Sequence, residues 1–146
     1  MAVWQYDLIV VPKSSLIEIS VTDRLDKRML ESYDFWHGQY STKDFKSFDK
    51  ILPLGKSWSN EIIQYGEEGS HTLKLIAEDD SIVEVLLRID FSKDYRAVLE
   101  EVLEYSLMNG MELIDQDLEV VKGNIHHLIN KIESSPQFMA FEKLSG

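Results

Sequence analysis

The sequence predicts an α+β fold in which two or three helices pack on one face of a mainly antiparallel sheet. Three observations lead to this class. Alternating apolar residues indicate several short strands, the clearest strands are joined by polar turns as hairpins, and the helical patterns follow without sustained strand–helix alternation. The 146 residues suit one domain, and no repeat or Pro/Gly-rich linker divides them. We therefore expect a single domain over 1–146.

The first strand is predicted over residues 3–11, where one face is apolar and the other includes Gln5 and Asp7, and Pro12 ends it. Its apolar face carries Trp4, Tyr6, Leu8 and Val10. Residues 15–22 fit either a helical turn, with Ser15 and Glu18 as a capping box, or a second strand. We expect short helices and ordered loops between Thr22 and Lys50, and helical spacing over 44–52 that ends before Pro53.

The second part of the chain has clearer patterns. Residues 57–65 are a possible strand, and residues 72–77 and 82–91 flank the polar turn 78–81 as a hairpin. Because successive side chains of a strand point to opposite faces, one face of the second hairpin strand is predicted to be wholly apolar. This face carries Val83, Val85, Leu87, Ile89 and Phe91.

Two longer helices complete the expected elements. Ser92 is a suitable N-cap for a helix over 93–108 that stops at Asn109-Gly110. A small hairpin is expected over 111–115 and 118–121. Asn124 then caps a last helix that ends near Ser135-Pro136, and the apolar tail 138–141 is expected to pack on the domain.

The net charge of −11 is unevenly distributed. Residues 1–60 carry eight Lys/Arg and eight Asp/Glu, whereas residues 61–146 carry seven Lys/Arg and eighteen Asp/Glu. A field of this sign repels nucleic acid and anionic lipid and attracts basic protein surfaces. The sequence contains no cysteine, which excludes disulfides and Cys-ligated metal sites. It also has no long apolar stretch and no signal-like N-terminus, so we expect a cytoplasmic protein without membrane contact.

No motif in the sequence indicates catalysis, a cofactor or a metal. Gly55-Lys56-Ser57 resembles the end of a P-loop, but Lys50 stands where the first glycine is needed. His126 and His127 are expected on a solvated helix face, without a metal-ligand spacing. The carboxylates at 115 and 117 fall in a predicted turn, where they are expected to be solvated.

Four segments form a recognisable pattern: Leu52-Pro53-x-Gly55-Lys56-Ser57-Trp58-Ser59, then Tyr65-Gly66, Arg88-Ile89-Asp90 and Ser135-Pro136-Gln137-Phe138. This pattern resembles that of a group of small bacterial proteins that have no assigned activity. The resemblance implies a bacterial origin and contributes no catalytic residue.

We expect a binding protein rather than an enzyme. Its acidic surface would dock on a basic protein, as an immunity protein docks on a toxin. Its carboxylates would steer the partner, and Trp36 beside His37 would be an exposed anchor. The predicted partner-binding residues are Trp36, His37, Glu67, Glu68, Glu78, Asp79, Asp80, Glu100, Glu101 and Glu104.

Two other functions are compatible with the sequence. An enzyme or small-ligand-binding domain would have a pocket near Trp36, His37 and Trp58, with Arg88 and Asp90 on the adjoining strand face. A homo-oligomeric structural protein would use the apolar C-terminal tail instead.

Overall fold

A computed structural model describes residues 4–55, 59, 61–67 and 69–145. The strands are β1 (Gln5–Pro12), β2 (Ile62–Tyr65), β3 (Thr72–Glu78), β4 (Ser81–Asp90) and β5 (Met111–Ile114). The helices are α1 (Lys13–Glu18), α2 (Lys27–Ser32), a 3₁₀ helix (Thr42–Lys50), α3 (Arg96–Met108), α4 (Ile125–Glu133) and α5 (Pro136–Ser145).

All strand pairs in the sheet are antiparallel, in the order β2-β3-β4-β1-β5, so the predicted α+β class is confirmed. Leu8 pairs with Leu87 in the centre of the sheet, and both side chains are fully buried. We call the face that carries them the front face. Phe48 of the 3₁₀ helix packs edge-on against both Tyr65 of β2 and Tyr105 of α3, which places these helices over the front face.

The opposite, reverse face is covered at the β1–β5 end. Side chains alternate along a strand, so Val11 and Ile114 point away from the front face. They are nevertheless 2% and 0% exposed. Leu30 of α2 lines the same groove as Val11, which places α2 beside this part of the reverse face.

The β3–β4 hairpin is confirmed, but one residue of its predicted apolar face is wrong. Asp79 and Asp80 both have positive φ, 50° and 68°, as the two central residues of a type I′ turn require. The pairing then shifts, since Ala77 faces Ile82 while Ile76 faces Glu84. This bulge inserts Val83 as an extra residue, so Ile82 is buried in its place and Val83 is 44% exposed.

The predicted environments of two tryptophans are reversed in the structure. Trp4 was expected in the core but is 45% exposed, because it lies one residue before β1 begins. Trp36 was expected in an exposed loop but is 2% exposed, with its ring edge-on to Tyr40 and close to Phe45. The chain turns sharply after it, through positive φ angles at His37 and Gly38, and its side chain stays in the core.

The predicted start of α3 is also wrong. The helix begins at Arg96, not at residue 93, because Ser92 bonds to the Asp90 side chain instead of capping the helix. Its backbone amide and hydroxyl both donate to the buried Asp90 carboxylate, at 2.8 and 2.5 Å, which forms a turn at the end of β4.

Other boundaries agree more closely with expectation. Residues 13–18 are helical, which favours the helical alternative for this region, but the helix begins at Lys13 and the predicted capping box is wrong, because the Ser15 hydroxyl donates to the Phe35 carbonyl. Asn124 caps α4 by accepting from the His127 amide. The helical pattern over 44–52 is a 3₁₀ helix. Within the described part of the possible strand 57–65, Ile62–Tyr65 is a strand, while residues 57, 58 and 60 lie outside the described residues. Phe138 of α5 packs edge-on against Phe91 and is buried, so the apolar tail joins the core.

Gly55 and Gly66 have a structural role. Residues 53–55 lie along the outer edge of β2, with the Gly55 amide donating to the Gln64 carbonyl and the Gly66 amide donating to the Pro53 carbonyl. A Cβ on Gly55 would be 2.6 Å from the Gly66 carbonyl oxygen. This close backbone contact requires glycine at position 55.

Candidate functional site

A groove opens where β1 and β4 diverge. Their pairing ends at Val10 and Val85. Beyond this point the β4 backbone pairs with the loop before the 3₁₀ helix, since the Ile82 amide donates to the Tyr40 carbonyl. The groove has a volume of about 690 Å³. Its lining consists of Ile9, Val10, Val11, Leu30, Glu31, Ser32, Tyr33, Asp34, Phe35, Trp36, Gly38, Glu78, Ser81, Ile82, Val83, Glu84 and Val85.

Apolar side chains from two parts of the chain form most of its inner surface. The end of α2 and the loop that follows contribute Leu30, Tyr33 and the buried Phe35. On the strand side, β1 contributes Val11 and β4 contributes Val83. Such a surface suits an apolar group more than water.

Four carboxylates border this apolar surface. Glu31 and Asp34 belong to the α2 side, whereas Glu78 and Glu84 belong to the β3–β4 hairpin, and all four are exposed. No lysine or arginine occurs among the described residues that line the groove. Its electrostatic potential is therefore negative from both sides, and we call it the acidic groove.

A cluster of polar side chains holds the α2 side in place. His37 Nε2 lies 2.9 Å from Tyr33 Oη and 3.3 Å from Glu18 Oε2, and the His37 amide donates to Asp34 Oδ1 at 3.1 Å. Desolvation and the nearby Glu18 carboxylate raise the pKa of Tyr33, which keeps its phenol protonated. These contacts hold Tyr33 and the loop around it in place.

The structure places the two predicted anchor residues differently from expectation. Trp36 lines the acidic groove, but its burial means that it is not the exposed anchor predicted from the sequence. The His37 side chain is 29% exposed and is hydrogen-bonded to Tyr33.

The predicted acidic residues do not form one continuous patch. Glu67 precedes β3 and Asp79 follows it, so they are separated by a strand of seven residues, about 24 Å long. Only Glu78 of the predicted acidic residues lines the acidic groove. Glu68 lies outside the described residues, and the remaining ones are exposed on the β3–β4 turn or the outer side of α3: Asp80, Glu100, Glu101 and Glu104.

Among the described residues, those predicted for the pocket of the enzyme alternative do not all lie together. Arg88 is paired with Asp7 on the reverse face, at 2.9 and 3.2 Å. Asp90 is 1% exposed and bonded to Ser92. Both lie near the C-terminal end of β4, whereas Trp36 lies at its N-terminal end. Trp58 is outside the described residues.

Sequence reasoning missed Glu31, Tyr33, Asp34 and Glu84 as site residues. The segment Glu31-Ser32-Tyr33-Asp34-Phe35 does combine acidic and aromatic residues, which is a usable signal. The contribution of Glu84 from a distant strand is a tertiary feature with no local signal.

A second cleft of about 400 Å³ lies between residues 23–24 and 119–127. Its charges are largely paired, since Arg24 bonds Glu119 at 3.3 Å and Lys122 bonds Asp23. Paired charges leave little net field for a ligand, so this cleft is the weaker candidate.

Within the described residues, no group of three or more His, Cys, Asp or Glu side chains is placed to hold a metal ion. In the same part of the chain, every helix is too short or too polar to cross a bilayer. Comparison of the sequence with protein-family models and with curated proteins, and of the fold with solved structures, gives no match in any of the three.

Proposed function

We propose that this protein is a non-enzymatic binding protein that docks on a basic protein partner, as an immunity protein does on the toxin it neutralises. The observation that supports this function best is the acidic groove, which combines an apolar inner surface with four carboxylates and no described cation in its lining. The net charge of −11 adds long-range attraction for the same kind of partner.

The proposal is tested by capture of partners from the native bacterial lysate on the tagged protein. We expect a basic protein to be retained at about 50 mM salt and released at about 500 mM, since screening shortens the range of charge attraction. The captured protein is then purified, and its affinity is measured by calorimetry across the same salt range. If no basic partner binds with an affinity that falls as salt rises, the proposal is wrong.

A control variant makes this test specific to charge position. Glu31→Lys/Glu84→Lys and Asp49→Lys/Glu142→Lys change the net charge equally, and all four residues are exposed. Asp49 and Glu142 do not line the acidic groove. We expect the first variant to lose the partner and the second to keep most of its affinity.

A second candidate is the binding of a small organic cation in the same groove. The volume of about 690 Å³ falls in the usual range for ligand sites, and Tyr33 is one of the aromatic residues in its lining. Choline or spermidine would then raise the melting temperature with increasing concentration. An unchanged melting temperature with both compounds would remove this candidate.

A further inference from the structure

We propose that the acidic groove is occupied by an exposed segment of the partner in which one aliphatic side chain is flanked on both sides by lysine or arginine. This inference rests on the proposed function, because it specifies the chemistry of the partner at the same site. It follows from the positions of the apolar and acidic residues around the groove.

The central aliphatic side chain is inferred from the apolar surface inside the groove. Val83 is the extra residue of the β-bulge and is 44% exposed, although valine in a strand is usually covered. Leu30 and Tyr33 line the same groove from α2 and the loop that follows it. An aliphatic side chain placed between these residues would bury apolar area on both sides.

The two flanking cations are inferred from the placement of the carboxylates. Glu31 and Asp34 lie on the α2 side, and Glu78 and Glu84 lie on the hairpin side. A single cation satisfies only one side and leaves the other pair without a counter-charge. A segment with a cation on each side of its apolar residue matches both pairs.

Recognition by added strand pairing is disfavoured at this site. The last residue of β1 is Pro12, which has no amide hydrogen to donate. On the other side, the amide of Ile82 already donates to the Tyr40 carbonyl. The occupant is therefore recognised by its side chains rather than by its backbone.

The carboxylates on the outer side of α3 are the alternative docking surface. Glu100, Glu101 and Glu104 are exposed, and Glu104 is followed on the helix by the half-buried Tyr105, which packs on the 3₁₀ helix. They supply negative charge, but they line neither the acidic groove nor the cleft between residues 23–24 and 119–127. We expect them to affect the rate of encounter more than the docked complex.

Three short blocked peptides test the inference in titrations followed by ¹⁵N–¹H NMR spectra of the whole protein. The first is Ser-Lys-Leu-Arg-Ser, the second replaces its leucine with glycine, and the third replaces both cations with glutamate. We expect the first to shift the amide signals of residues 30–36 and 81–84. The glycine peptide should bind roughly tenfold more weakly, and the glutamate peptide should cause no shift.

Two charge variants show where the first peptide binds. Glu31→Lys/Glu84→Lys should abolish the shifts caused by the first peptide, whereas Glu100→Lys/Glu104→Lys should leave its affinity within about twofold, since rim charges outside the docked site contribute little. Retained dispersion in the NMR spectra shows that each variant is folded. The inference is overturned if the first peptide does not bind, if the glycine peptide binds equally well, or if the shifts map to α3.

The outcome also separates this inference from the proposed function. If the captured basic partner binds the Glu31→Lys/Glu84→Lys variant as well as the native protein, the groove is not the docking site although the function stands. If no basic partner binds the native protein in a salt-dependent way, the function itself is wrong.

Discussion

His71 Nε2 lies 2.8 Å from the backbone carbonyl oxygen of Asp94, and His71 Nδ1 lies 3.0 Å from the backbone amide of Asp90. The amide is a donor, so Nδ1 accepts and Nε2 carries the hydrogen that is donated to Asp94. The histidine is 4% exposed, and these two bonds fix the orientation of its ring. It joins the start of β3 to the end of β4 and to the loop that leads to α3.

Replacement of His71 by alanine is expected to destabilise the protein by about 1–3 kcal/mol, because it leaves a buried amide and a carbonyl without their partner. Urea unfolding followed by circular dichroism measures the change. His126→Ala is the matched control, since His126 is exposed on α4 and should change stability by no more than about 0.5 kcal/mol. Equal effects of the two substitutions would show that the His71 bonds contribute nothing.

Gly66 and Gly110 both have positive φ, but only Gly66 is closely packed. A Cβ on Gly66 would lie 2.1 Å from the His71 carbonyl oxygen, whereas a Cβ on Gly110 would meet nothing within 4 Å. Gly110→Ala should therefore cost only the backbone strain, about 1–2 kcal/mol. Gly66→Ala should cost clearly more, because the backbone must also move. Thermal unfolding of both variants tests this, and a Gly66 variant as stable as the Gly110 variant would contradict it.

The reversed environments of two tryptophans predict unequal effects of the same substitution. Trp36→Phe should destabilise the protein by about 1–3 kcal/mol, because it leaves a void beside Tyr40 and Phe45. Trp4→Phe should stay within about 0.5 kcal/mol, because Trp4 is 45% exposed. Urea unfolding of the two variants gives the comparison, and a larger loss of unfolding free energy for the Trp4 variant would contradict the burial of Trp36.

Trp36 also shows where prediction from sequence reaches its limit. Periodicity predicted β1 and the β3–β4 hairpin, because alternation reflects a local geometry that the two-faced sheet imposes. It did not predict that Trp36 would be buried, since the polar residues around it suggested a loop, whereas the turn at His37 and Gly38 brings Tyr40 and Phe45 against its ring. The bulge at Val83 was missed for a similar reason, because Ile82 and Val83 are both apolar and either can face the core.

The sequence predicted the acidic character of the candidate site but not its shape. Acidity and the region of Trp36 were both indicated by the sequence, but the groove depends on the divergence of β1 and β4. The turn carboxylate of Asp115 illustrates the same limit. It was expected to be solvated, yet it is 3% exposed and accepts from the amides of Asp117 and Glu119.

Glu133 connects α4 to the start of α3 and should make stability depend on pH. The Tyr95 hydroxyl donates to its carboxylate, and Arg96 Nη2 lies 2.8 Å from the same oxygen. The hydrogen bond from Tyr95 and the Arg96 charge lower the pKa of Glu133 below its ordinary value, although burial opposes them. The folded state therefore holds the proton less tightly than the unfolded chain does. The stabilisation is complete above the unfolded pKa and is lost as pH falls through the folded pKa.

Glu133→Gln should accordingly lower stability near neutral pH and lose less stability than the native protein between about pH 5 and pH 3.

Tyr95 gives the complementary alkaline effect, because burial and the Glu133 carboxylate raise its pKa to about 12. Its contribution to stability is present below the unfolded pKa and is lost as pH rises through the folded pKa. Tyr95→Phe should therefore make the free energy of unfolding depend less on pH in the alkaline range. Urea unfolding across pH measures both effects. The exposed Glu142→Gln is the control, and an acid dependence unchanged by Glu133→Gln would show that the bond to Tyr95 does not stabilise the fold.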